Sequence, residues 1–196
     1  MSLFLDIGQG AGLAGASGIR PFLPPLLAGA LARGDIGLDF DDTEWRFLET
    51  PGFLLAVFAL AVVWYGVSRS GLNRALERVA AVIGLTLGAL LFAGSLAEGD
   101  NTAWPGIVAG VACGALAWAS VGALFERARR RLGANRGAGG PGDLIALYAE
   151  GAALVLAGLA IALPPVSFLA LIAFVVLLVR GRRDDDTKYA GLRVLR

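Results

Sequence analysis

The sequence contains no histidine and a single cysteine, Cys113, among its 196 residues. One cysteine can form neither a disulfide within the chain nor a cysteine-based metal site. The absence of histidine removes the usual acid–base catalyst at neutral pH and the commonest metal ligand. The apolar stretches also lack clustered carboxylates, which leaves few groups for general acid–base chemistry. We therefore expect no metal, no cofactor and no enzymatic activity.

Charge is scarce as well: 17% of the residues are charged and 57% are hydrophobic. Soluble domains carry about a quarter charged residues. The charges here occupy short stretches between long apolar runs, a pattern typical of a polytopic membrane protein. The lipid bilayer is thus the predicted partner, and a net charge of +1 gives no indication of nucleic-acid binding. No basic residue precedes Arg20, so we expect no cleaved signal peptide.

Six apolar segments predict an all-α, six-segment transmembrane helical bundle. They cover residues 3–32, 53–67, 76–96, 103–125, 144–163 and 165–179. Together they predict one transmembrane domain over residues 1–183, followed by a charged cytoplasmic tail over residues 184–196. About 20 residues suffice to cross a bilayer, so the first segment is too long for one straight helix.

The connections between these segments alternate between acidic and basic. Residues 35–49 hold six acidic residues against one arginine, and residues 98–100 hold two more acids, whereas arginines dominate residues 69–78 and 127–136 and the start of the tail. The positive-inside rule then places both termini in the cytoplasm, with the protein in the cell (inner) membrane.

The first segment carries a break signal in the stretch "GASGIRPFLPPLL". Pro21 lacks a backbone N–H and disfavours helix in the residue before it, while Ser17 and the next glycine are permissive. We predict a discontinuous first helix, with one half ending near Ser17 and the other starting near Pro21. Pro21 would lie in the first turn of the second half, with further irregularity at Pro24. Whether the segment crosses once or is re-entrant stays open.

Two charges are predicted to lie at similar depth inside the membrane. Helical rise puts Arg20 and Glu150 each about 10 Å from the cytoplasmic side, and an arginine at that depth is costly unless it is paired or hydrated. One interpretation is a polar pathway for an ion or solute, and the other is an ion pair that only fixes helix packing. The candidate pathway residues are Arg20, Glu150, Pro21, Pro24, Ser17 and Asp6.

Small residues recur at four-residue intervals in two segments, as Gly8 and Gly12 and as Gly106, Gly110 and Gly114. Such ladders allow close helix packing in lipid, within one chain or in a homodimer. "PGFLLAVFALA" from Pro51 also matches "PGDLIALYAEG" from Pro141. The two similarities suggest 3+3 inverted repeats over residues 1–97 and 102–181; the alternative is shared composition.

Most of the chain resembles a bacterial membrane family catalogued as domain of unknown function 4126, and the match is specific in its first third. The resemblance rests on "GLAGASGIRPFLPPLLAGALARG" and "DFDDTEWRFLETPGFLLAVFALAV", which contain the family's G-[IL]-R-x-F-L-P motif as Gly18–Pro24. Many members also carry an acid and an Asp-Lys-x-Pro element after the second segment, which "VVWYGVSRSGLNR" lacks. The resemblance implies that Arg20 and its prolines are a family feature, and it implies no activity.

Two functional hypotheses follow from the sequence. The first is a small transporter or channel for an ion or small solute, with the broken first helix, Arg20 and Glu150 at its site. The second is a non-transporting membrane scaffold or partner subunit that uses the glycine ladders as its interaction surface.

Overall fold

The computed structural model of the protein describes residues 2–69, 74–132 and 141–190. These residues form seven α-helices, one short 3-10 helix and no strand, which confirms the predicted all-α class. The helices are α1 (Leu3–Ile19), α2 (Leu23–Ala32), α3 (Pro51–Arg69), α4 (Arg74–Glu98), α5 (Trp104–Leu132), α6 (Pro141–Ala162) and α7 (Val166–Ala190), with the 3-10 helix at Arg46–Glu49.

Four of the described helices are long and apolar enough to cross a membrane. Their apolar stretches are Pro51–Ser68, Ala75–Glu98, Trp104–Ala128 and Leu144–Ala162, whereas the apolar part of α7, Val166–Gly181, is shorter. This composition indicates a multi-pass membrane protein. The predicted count of six segments is not confirmed, because the first segment is divided between two short helices.

The long helices alternate in direction, which gives the bundle two distinct ends. The acidic end holds residues 33–50, the connection at 99–103 and the turn at 163–165, and the basic end is where α4 and α6 begin. Helices α3, α5 and α7 run from the acidic end to the basic end. Accordingly, Gly181 near the end of the apolar part of α7 lies against Arg127 of α5.

Helix α1 starts at the acidic end and runs antiparallel to α4. A Cβ built at Gly88 would lie 3.1 Å from the Ala14 Cα, and one at Gly84 would lie 2.6 Å from the Ser17 carbonyl oxygen. At its start, Asp6 accepts a hydrogen bond from Asn101 in the acidic-end connection. The first helix therefore enters the bundle from the same end at which α4 leaves it.

Helix α2 returns to the acidic end. It is antiparallel to α3: the Phe22 ring just before α2 lies 6.3 Å from that of Trp64, while a Cβ at Gly29 would lie 2.5 Å from the carbonyl oxygen of Leu48, just before α3. Beyond α2, the Gly37 carbonyl accepts a hydrogen bond from Gln9 of α1. Residues 3–32 therefore form a re-entrant hairpin, called the hairpin below, with its tip at residues 20–22.

The hairpin corrects two predictions. The first segment does not cross the bundle, so the chain begins at the acidic end while α7 reaches the basic end, and the prediction of both termini on one side is not supported. The prediction of inverted repeats matched α1 with α5 because both contain a glycine ladder. These two helices run in the same direction, so they cannot be an inverted pair. Helix α7 extends into the predicted tail as far as Ala190, and residues 191–196 lie outside the described residues.

Helix α1 forms the centre of the bundle, packed against α4, α5, α6 and α7. Every residue from Gly8 to Gly18 is buried, and most of them are glycine, alanine or serine. A helix satisfies its own backbone polar groups, so even a glycine-rich sequence stays helical where no water is present. The short side chains let four neighbours approach closely, and this packing holds the tip of the hairpin in a fixed place.

Candidate functional site

The tip of the hairpin is a non-helical link of three residues between α1 and α2, and it begins with an extended residue, Arg20. Arg20 has φ −140° and ψ 120°, and its N–H donates the last bond of α1 to the Ala16 carbonyl at 3.0 Å. The following Pro21 explains this geometry, because its ring disfavours a helical conformation in the preceding residue. The predicted discontinuity is therefore present, and each boundary lies two residues beyond its predicted position.

The prolines after the tip remove backbone donors that would otherwise lack partners. Pro21 lies in the link and not in the first turn of α2, which corrects the predicted register. Pro24 and Pro25 occupy the second and third positions of α2, where an N–H has no helical acceptor. The first helical bond runs from the Leu26 N–H to the Phe22 carbonyl at 3.2 Å. This end of α2 consequently offers few N–H groups to an anion.

Arg20 binds across one turn of α6. Its Nε lies 3.2 Å from Oε1 of Glu150 in an ion pair, and its Nη2 donates a hydrogen bond of 3.1 Å to the Ala146 carbonyl. The two acceptors are four residues apart and so lie on one face of the helix. The structure thus brings together the two charges that the depth estimate had placed side by side.

The pair lies well inside the bundle. Pro21 packs against Gly84, which is about 15 Å from the basic-end start of α4 and about 21 Å from its other end at 1.5 Å per residue. The pair is nevertheless only partly enclosed, since the side chains of Arg20 and Glu150 are 21% and 35% exposed. Helix α2 packs on both α3 and α6, but it begins at the tip. The hairpin itself therefore does not extend past the pair toward the basic end.

Two other predicted pathway residues do not take part in the ion pair. The Ser17 hydroxyl is buried and donates to the Leu13 carbonyl at 2.9 Å, so it serves packing within α1. Asp6 is 1% exposed and lies fourteen residues, or about 21 Å of helix, from Arg20. Of the candidate charges, only Arg20 and Glu150 meet at the tip.

A buried polar network surrounds Asp6 at the acidic end. Ser95 donates to the Asp6 backbone carbonyl at 2.9 Å and lies 3.3 Å from Oε1 of Gln9. Asn101 donates to the Asp6 carboxylate at 3.2 Å, and Gln9 donates to the Gly37 carbonyl at 2.7 Å. Sequence reasoning missed this network, although the spacing of Asp6 and Gln9 puts both on one face of α1. It joins α1 to α4 and to the loop after α2.

The glycine ladders pack helices of the same chain. A Cβ at Gly8 would lie 2.6 Å from the Pro164 carbonyl oxygen, and one at Gly12 would collide with Ser167. Those at Gly106 and Gly110 would lie 2.9 and 2.6 Å from backbone Cα atoms of α4, and Gly114 lies against Gly18. These five glycines are therefore occupied inside the protomer.

The connection between α2 and α3, residues 33–50, is called the acidic loop below, and its aspartates form an exposed surface outside the membrane helices. One carboxylate oxygen from each of Asp35, Asp39 and Asp41 lies within 4.8 Å of the others. Asp41 also forms an ion pair of 3.0 Å with Arg46. Two cavities of about 250 Å³ each are lined by residues of this loop and its neighbours at the same end. These features lie at the opposite end of the hairpin from its tip.

Comparison with known proteins identifies a family without an assigned activity. The family model described as "Domain of unknown function (DUF4126)" matches residues 7–183. No curated protein and no solved structure matches the chain. The match covers the hairpin from residue 7 onward, the whole of α3 to α6, and α7 as far as residue 183.

Proposed function

Because the chain belongs to the DUF4126 family, whose description assigns no activity, we propose a function from the geometry of the hairpin tip. The protein is a small transporter or channel for an ion or small solute in a bacterial inner membrane. The basic end faces the cytoplasm, as the positive-inside rule requires. Arg20 and Glu150 form the binding site.

One observation carries this proposal: a partly exposed ion pair lies at the tip of a broken, re-entrant helix. An ionised side chain at this depth costs at least a few kcal/mol. Replacing a buried pair with apolar residues is often neutral or stabilising, so stability alone gives little reason to keep one. Broken helices that end inside the membrane also form the sites of many transporters.

The test is flux in proteoliposomes loaded with potassium, chloride or nitrate. We expect the wild-type protein to move at least one of these ions, Arg20→Ala to reduce its flux to that of empty liposomes, and Arg20→Lys to keep part of it. Asp42→Asn, which removes an exposed charge from the acidic loop, is the control and should behave as the wild type. Unchanged flux in Arg20→Ala would remove the pair from the mechanism.

A second candidate function is that of a partner subunit without transport activity. Helix α3 favours it, because only 6% of Pro51–Ser68 is buried within the protein. The glycine ladders no longer support it, since they pack inside the protomer. Absence of flux for all three ions, together with co-purification of a larger membrane protein, would favour this second function.

A further inference from the structure

We propose that the site at the hairpin tip binds an oxyanion in exchange for the Glu150 carboxylate, which takes up one proton as it leaves Arg20. This inference rests on the proposed function, because it assigns a substrate class to the same site. Its starting point is that the guanidinium already holds a carboxylate, Glu150, and a carbonyl, Ala146. A guanidinium matches the planar geometry of carboxylates and related oxyanions.

Charge balance requires the proton. The ion pair is neutral as it stands, and adding an anion beside it leaves a net negative charge in the membrane interior, where charge is costly. Protonation of Glu150 restores neutrality. The step balances because one guanidinium–carboxylate pair, one proton from water and one anion give one carboxylic acid and one guanidinium–anion pair.

The local geometry allows Glu150 to leave while Arg20 stays. Glu150 has the more exposed side chain of the two, and a Cβ built on the adjacent Gly151 meets no atom within 4 Å. The Glu150 side chain is therefore partly exposed, and no other element that the structure describes covers α6 at the next residue. Arg20 remains anchored through Ala146 and through the buried helix α1 behind it.

The acidic residues on α4 and α5 whose side chains the structure describes lie well away from the pair along the helix axes. On α4, Glu77 is seven residues from Gly84 at the level of the tip, or about 10 Å, and on α5 Glu126 is twelve residues from Gly114, or about 18 Å. Among the side chains that the structure describes, the other titratable or charged groups toward the basic end are Tyr65 on α3, Arg78 on α4, Arg127 on α5, Tyr148 on α6 and Arg180 on α7. Asp6, at the far end of α1, belongs to the polar network. Glu150 is thus the acid in position to exchange its place with an anion at Arg20.

Nitrate is the best probe, because it has the planar shape of a carboxylate and carries no proton of its own. The experiment measures nitrate binding and proton uptake from a weakly buffered medium, with the full chain in phosphatidylcholine nanodiscs. We expect about one proton per nitrate bound, and an affinity that falls about tenfold per pH unit where Glu150 is ionised. Nitrate bound without proton uptake, or no nitrate bound, would overturn the inference.

Two variants assign the proton to Glu150. Glu150→Gln should bind nitrate with no proton uptake and no dependence on pH, because an amide does not titrate here. Glu44→Gln makes the same replacement at an exposed acid of the loop and should match the wild type. Arg20→Ala should lose binding and Arg20→Lys should retain it weakly. Equal proton uptake in Glu150→Gln and the wild type would assign the proton elsewhere and refute the exchange.

The oxyanion can be a free solute or a lipid headgroup, and a second set of nanodiscs distinguishes them. If nitrate binds equally in phosphatidylcholine and phosphatidylglycerol nanodiscs, the site takes free anions. If phosphatidylglycerol abolishes binding in the wild type, its headgroup occupies Arg20. Either result retains the exchange. Flux is a separate readout. Proton-linked nitrate binding without flux would reject transport and keep the exchange site. Nitrate flux without proton uptake would reject the exchange and keep transport.

Discussion

Replacing Gly110 with alanine tests how tightly the ladders hold the bundle together. A Cβ at this position would lie 2.6 Å from the Cα of Ala89 in α4, against an ordinary contact of about 3.5 to 4.0 Å. The position of the Cβ is fixed by the backbone of α5, and the Ala89 Cα belongs to the backbone of α4, so no side-chain rotation can relieve the contact. Helices α4 and α5 must therefore separate by about 1 Å along this seam.

The cost follows from that separation. Overpacking of this kind destabilises by about 1 to 3 kcal/mol, and the better helix propensity of alanine returns up to about 1 kcal/mol. We expect a net loss of about 1 to 2 kcal/mol for Gly110→Ala. Gly122→Ala is the matched control, because it makes the same change on the same helix where a Cβ meets nothing within 4 Å.

The assay is unfolding of both variants in one detergent, followed by circular dichroism or by the fraction that stays monodisperse after heating. Gly110→Ala should unfold at lower temperature or denaturant than the wild type, and Gly122→Ala at the same point or higher. Equal stability of the two variants would show that the α4–α5 seam tolerates a methyl group. The structural argument for the ladders would then be refuted.

Two further predictions concern buried polar groups. Burial is the largest cause and a hydrogen bond with Asp41 the next largest cause of a pKa of Glu49 above its ordinary value of 4.5. The stability that Glu49 contributes is therefore complete below pH 4.5 and is lost as the pH rises through the raised pKa. The wild type should lose stability from pH 5 to pH 7 in thermal unfolding, and Glu49→Gln should lose less; equal losses would contradict this. The buried Ser167 hydroxyl has no hydrogen-bond partner among the described residues, so Ser167→Ala should stabilise by about 1 kcal/mol. A loss of stability in the same assay would show that the hydroxyl has a partner after all.

Much of the helical pattern follows from hydropathy, because each long helix must cover the same apolar thickness. The bounds of α3 to α7 enclose the predicted segments to within a residue or two, and they extend beyond them mainly at the charged basic end. The break at Arg20 and Pro21 follows from local backbone chemistry, which sequence expresses directly. The similar depth of Arg20 and Glu150 also follows from helical rise, because the estimate used only residues of α2 and α6, and both helices run as predicted.

The direction of α1 could not be predicted in the same way. A thirty-residue apolar stretch with a central break fits one kinked crossing or two antiparallel arms equally well. Hydropathy cannot distinguish them, because it does not depend on the direction in which a helix runs through the membrane. The evidence for the hairpin is tertiary: Gly84 and Gly88 against α1, and Gln9 against Gly37. The ten-residue length of α2, about 15 Å, was the one local sign that this arm is too short to cross.

The central position of α1 sets an order for biogenesis. The helices that enclose it, α4 to α7, all follow it in the chain, and Gly12 packs against Ala160 and Ser167, which are synthesised later. Contacts so distant in sequence form slowly, and the nascent chain exposes a glycine-rich segment with a charge at its tip until α7 is made. We therefore expect α1 to reach its final position only after the helices that follow it have been inserted.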